Sequence, residues 1–125
     1  MTRLSVVTVC ESCGWRADAE PGATPGAAFA QAVEAAAADC PAVKVERFSC
    51  LMNCERGCSA AVADRDGAKV AYVLGQFAHD DAEHARALVA YAALHAASRS
   101  GVIAFEAWPE AVKGRFVARL PPVRR

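Results

Sequence analysis

Six cysteines mark this 125-residue chain, and their spacing is the first feature able to do chemistry. Cys10 and Cys13 form a Cys-x2-Cys within VCESC, and Cys50, Cys54 and Cys58 recur at four-residue intervals within CLMNCERGC. Where thiols are kept reduced, such pairs serve as metal ligands or redox catalysts more often than as structural disulfides. Two pairs supply four sulfurs. That set suits a [2Fe-2S] cluster, in which each tetrahedral iron takes two cysteines. It equally suits one Zn(II), because Cys-x2-Cys and Cys-x3-Cys both fall within zinc-site spacing. Spacing alone leaves the two open.

Composition sets the surroundings. Lys plus Arg and Asp plus Glu each number 14, for a formal net charge of +0, and no basic stripe stands out before the closing PPVRR. Nucleic acid is therefore not an expected partner. The opening MTRLSVVTVC is too short and too polar for a signal peptide, and no stretch approaches the ~20 apolar residues of a membrane span. A cytoplasmic protein with no membrane partner is expected. A domain of this size buries roughly two-thirds of its unfolded surface, so a metal is not needed merely to hold it together.

The elements that must carry the cysteines follow from pattern. Residues 4–10, LSVVTVC, are apolar and β-branched with no helical period, which predicts a buried first strand ending at Cys10. Past the turn-rich GWRADAEPGA, Thr24 caps a helix that opens at Pro25, puts Phe29, Val33 and Ala36 or Ala37 on one face, and stops at Pro41. Residues 43–50, VKVERFSC, read as a second strand that again delivers a cysteine at its end. SAAVAD and AKVAYVLG flank Asp66-Gly67, a dipeptide suited to a type I′ turn, and predict a hairpin. Asp80 or Asp81 then opens a second helix running to about Ser98, with Leu88, Ala92 and His95 on one face.

The resulting order, β-α-β-β-β-α, makes an α/β domain on a thioredoxin-like plan with a mixed sheet over residues 1–100. A C-terminal extension, 101–125, packs on the core or on a partner. Strand, helix and strand form a crossover that leaves the first two strands parallel. Ligands collect at the carboxyl ends of parallel strands. Cys10 and Cys50 are thus expected at one edge, which makes Cys10, Cys13, Cys50 and Cys54 the predicted ligand set.

The other residues have weaker claims. Cys58, preceded by a glycine that lets the backbone approach closely, is an additional candidate ligand or a buried thiol. Arg16 and Arg56 flank the motifs and are placed to offset the charge of a thiolate-bound cluster. Leu51 and Met52 between the ligands are candidates for a docking surface. Cys40, before Pro41, belongs away from the site. His79, His84 and His95 lie on or beside the second helix and are expected clear of the strand-end site. A thiol–disulfide oxidoreductase would use Cys10 and Cys13, but a loop with Pro21 and Gly22 separates Cys13 from the helix start at Thr24, placing the dipole that would activate a thiol at a distance.

The segments VCESCGWR, CLMNCERGC, YVLGQF and RFVARLPP resemble a bacterial domain-of-unknown-function family described as predicted metal-binding proteins and related to thioredoxin-like [2Fe-2S] ferredoxins. The resemblance spans nearly the whole chain. It implies a cluster-binding or one-electron-carrying role rather than an enzyme, with a redox partner protein, a link to cobalamin metabolism, and dimers of the kind ferredoxins of this type form. It also implies ligands at Cys10, Cys13, Cys50 and Cys54. The chain departs from those ferredoxins in a shorter first cysteine spacing and in the additional Cys58. The expectation is a [2Fe-2S] protein, with a zinc module as the alternative.

Overall fold

A computed structural model of the chain describes residues 4–11, 24–49 and 58–123. It is a mixed α/β structure in which five strands and two helices follow in the order β1 (Ser5–Cys10), α1 (Pro25–Ala37), β2 (Val43–Phe48), β3 (Cys58–Asp64), β4 (Ala71–Phe77), α2 (Ala82–Ala97) and β5 (Phe116–Leu120). Two short 3-10 turns, Phe105–Ala107 and Glu110–Val112, lie between α2 and β5. The sheet order is β2-β1-β3-β4-β5; β1 and β2 are parallel, and the other neighbouring pairs antiparallel.

Both helices cover one face of the sheet and pack on each other. The alternation of β1 sends Val7 and Val9 into that core, where they meet Phe29 and Val33 of α1, Ala60 and Val62 of β3, and Leu88 and Ala92 of α2. Phe29 stacks on Phe77 with centroids 5.2 Å apart. Each Val, Leu and Phe among these contributes roughly 1.5–3 kcal/mol by leaving water.

The caps lie where the sequence puts them. The Thr24 hydroxyl accepts from Ala27 N at 3.0 Å with Pro25 in the first helical position, and the Asp81 carboxylate accepts from Glu83 N at 3.0 Å. The β3–β4 hairpin is present, but its connection is longer than a two-residue turn. Asp64 folds its carboxylate over Ala68 N and Lys69 N, Gly67 takes φ +70°, and the chain detours so that Lys69 is buried beneath the end of α2. The tail over 101–123 had no readable period. It places Trp108 and Phe116 against Tyr91 with Phe105 beside Trp108, and adds β5 to the sheet. Among the described residues no helix is long and apolar enough to cross a membrane.

Strand directions divide the molecule into two ends. One gathers the carboxyl ends of β1, β2 and β4, the start of β3, and the N-termini of both helices. The other holds Ser5, Val43, Asp64 and the C-terminus of α2.

Candidate metal centre

Cys10 closes β1 at the first of these ends. It is fully buried, and its register partner on β2 is Phe48. The bond from Glu11 N to Phe48 O, 2.9 Å, continues the pairing one residue further. Cys50 stands two positions after Phe48 in sequence and, with Cys13, Cys54, Arg16, Arg56, Leu51 and Met52, lies outside the described residues. Cys58 begins β3 at the same end, 3% exposed, opposite Phe77 across an irregularity in the β3–β4 pairing. Gln76, next to Phe77, takes φ +63°, the one non-glycine residue of positive φ among those described.

The Cys58 thiol is pushed up to about 11, first by burial among apolar side chains and then by the neighbouring Cys10 and Asp80. β1 and β3 are antiparallel neighbours with Val9 opposite Ala60, so Cys10 and Cys58 lie at adjoining strand ends. A thiol so shifted is protonated at neutral pH, and a metal taking it as a ligand must displace that proton.

Thr24 binds this end together. Its hydroxyl donates to Glu11 O while accepting from Ala27 N, so the α1 N-terminus is tied to the residue after Cys10. The loop length had suggested a helix start far from the cysteines; the bond to Glu11 brings it to the end of β1. The N-terminus of α2 lies at this end as well, because α2 follows the carboxyl end of β4. The α1 N-terminus, with no acidic residue in its first turn, carries partial positive charge to the cysteine end, while that of α2 already holds the Asp81 carboxylate and Glu83.

The histidines divide between the ends. His95 lies in the core at the far end. His79 and His84, expected clear of the site, follow the carboxyl end of β4 and so belong to the cysteine end. His79 is exposed there, and the His84 ring lies 6.0 Å from that of Phe77. His84 Nδ1 accepts from Ala78 N at 2.9 Å, and Nε2 lies 3.1 Å from Arg115 Nη2 and 3.4 Å from Asp81 Oδ2. The signal for this placement was in the sequence: a helix capped at Asp81, directly after a strand parallel to β1, must start at that end. Cys40 lies at the far end, where Val43 N bonds to its carbonyl. Among the described residues no group of three His, Cys, Asp or Glu side chains is gathered to hold a metal, so the described part supplies two of the sulfurs at this end, Cys10 and Cys58.

No curated protein and no solved structure matches the chain. A family model described as "Protein of unknown function (DUF1636)" matches residues 7–122, from β1 through β5, and the chain belongs to that family.

Proposed function

We propose that this chain is a thioredoxin-like [2Fe-2S] protein that carries single electrons to or from a partner protein in the cytoplasm, with Cys10, Cys13, Cys50 and Cys54 as ligands. The observation that carries the reading is the convergence at one end of the sheet. Cys10, Cys58 and the strand that leads into Cys50 meet there, at the end of the sheet where both helices start. Thiolate ligation builds net negative charge, which the uncharged α1 N-terminus tied to Glu11 favours. The strand order β2-β1-β3-β4, with β3 antiparallel to the other three, supports the thioredoxin-like plan.

The cluster, when bound, supplies the one-electron chemistry. The chain's own residues position and shield it. Cys10 is held by strand pairing on the β2 side and by the Thr24–Glu11 bond, and Cys58, at the same end, is the thiol that could replace one of the four. Phe48, 56% exposed at the register position next to Cys10, offers an apolar contact to a redox partner.

Anaerobic purification tests the reading. The expected product is reddish-brown, with about two irons and two acid-labile sulfides per chain and a paramagnetic signal on one-electron reduction. Colourless protein with one zinc per chain would replace the cluster by the zinc alternative. Serine replacements assign the ligands: loss of iron is expected at Cys10, Cys13, Cys50 and Cys54 and retention at Cys58 and Cys40. Loss at Cys58 with retention at Cys54 would redraw the set.

A further inference from the structure

A second site lies on the opposite edge of the sheet. Between β5 and the turns that precede it is a pocket of about 450 Å³, whose walls include Tyr72, Phe105, Trp108 and Phe116 and whose charged residue is Arg119. We propose that this pocket binds a small planar apolar anion, of the class of aromatic carboxylates.

The walls are held in place without a ligand. Trp108 Nε1 donates to Ile103 O at 2.9 Å, and the Lys113 ammonium sits 4.7 Å over the Phe105 ring. The rings meet at open angles, Trp108 to Phe116 at 43° with centroids 4.7 Å apart and Phe105 to Trp108 at 55° and 5.0 Å. Faces and edges are thereby presented together, the arrangement that receives another flat ring. The volume lies in the range of small-molecule sites. Behind the wall, Tyr91 packs edge-on against Tyr72, Trp108 and Phe116 and backs the aromatic lining.

Charge selects the ligand's polar end. Residues 101–123 contain three cations. Lys113 is paired with Glu110 at 3.0 Å, and Arg115 donates to Ala111 O and Gln76 O. The Arg119 guanidinium has no such partner among the described residues, and no carboxylate shares the lining. An acceptor with two oxygens matches its forked donors. Three strand steps separate β5 from β1, roughly 14 Å at ~4.8 Å per strand, so this site stands whether or not the proposed cluster does.

The test is an NMR titration of the ¹⁵N-labelled full chain with 2-naphthoate and with its neutral counterpart 2-naphthylmethanol. Saturable shifts are expected at the amides of Phe105, Trp108 and Ala118, with the carboxylate bound about tenfold tighter at low salt. Arg119→Gln, at an exposed position, should erase that preference and leave the alcohol's affinity unchanged. No saturable shift, shifts elsewhere, or a carboxylate preference that survives R119Q would overturn the proposal. So would concentration-dependent shifts of the same amides without ligand, which would show that a second copy of the chain occupies the face.

Discussion

The two ends of the sheet both bury titratable side chains, yet they treat them in opposite ways. At the far end every such group meets a partner. His95 Nε2 donates to Val70 O at 2.8 Å, which leaves Nδ1 to accept from the Ser5 hydroxyl at 2.6 Å, and burial lowers the imidazole's pKa so that it stays neutral. Lys69 Nζ donates to His95 O and Ala96 O, at 2.8 and 2.9 Å, on the negative end of the α2 dipole. At the cysteine end the helices turn their positive ends inward, and the Cys58 thiol is displaced from its ordinary range. Burial by itself is therefore not a functional signal. The far end is a closed polar lock, whereas at the cysteine end the Asp81 carboxylate already caps α2 and the buried Cys58 thiol stays protonated at neutral pH.

The strongest way to break the lock is Gly101→Ala. Gly101 has φ +86°, and a Cβ there would meet Val70 O at 2.8 Å and His95 Nε2 at 3.0 Å, the two atoms of the central hydrogen bond. Backbone strain and clash together should destabilise the fold by about 3 kcal/mol or more, read as a lower urea midpoint. Gly114, at φ +81° with open space around it, is the internal control. Gly114→Ala should lose only about 1–2 kcal/mol, the backbone part alone. Equal losses at the two glycines would mean that the lock is not tightly packed.

A pH profile of the metal-free protein's stability sets the two ends against each other. The folded state resists protonation of His95, so the unfolded chain takes up the proton first; stability is full above the ordinary histidine value of 6.5 and falls as pH drops below it. Cys58 works in the other direction. Its thiol ionises first in the unfolded chain, so stability is full below about 9 and is lost as pH rises toward about 11. The alkaline loss should be on the order of 2 kcal/mol by the top of that window. Cys58→Ala should flatten the alkaline arm between about 9 and 10 and leave the acid arm. Tyr91, whose hydroxyl burial also raises, enters only above its ordinary value of 10. Replacement of His95 by Leu should do the reverse, at a loss of about 2 kcal/mol at neutral pH because the Ser5 hydroxyl and Val70 carbonyl lose their partner. If both variants kept both arms, the division of labour between the ends would fail.

Much of this division was legible beforehand, for physical reasons that differ by element. Thr24-Pro25 and Asp81 announce helix starts because a side-chain oxygen must satisfy the first free N–H groups, and both caps are found. Strand β1 was readable from an apolar run that ends at a cysteine. The tail was not, because Phe105, Trp108 and Phe116 reach one aromatic cluster from two turns and an edge strand, a geometry without a period. Nor was the Lys69 detour, since burial of a cation depends on the α2 carbonyls that receive it. The convergence of Cys10 with the end of β2 followed from topology, whereas the tie between α1 and Glu11 is a tertiary contact that loop length concealed.

The smallest effect serves as the baseline for the rest. On the open flank of the sheet, Arg47 of β2 grips Glu34 of α1 through two hydrogen bonds, 2.6 and 3.0 Å, with the two side chains 34% and 42% exposed. The bonded guanidinium holds the Glu34 carboxyl below its usual range. A depressed carboxylate contributes stability that is present above the unfolded value of 4.5 and fades as pH falls below it, a window separate from that of His95. Solvent screens a pair this exposed, so a double-mutant cycle with Glu34→Gln and Arg47→Gln should give about 0.5 kcal/mol, shrinking further in high salt. A coupling as large as the His95 loss would mean that the flank, and not the two ends, carries the polar energetics of the fold.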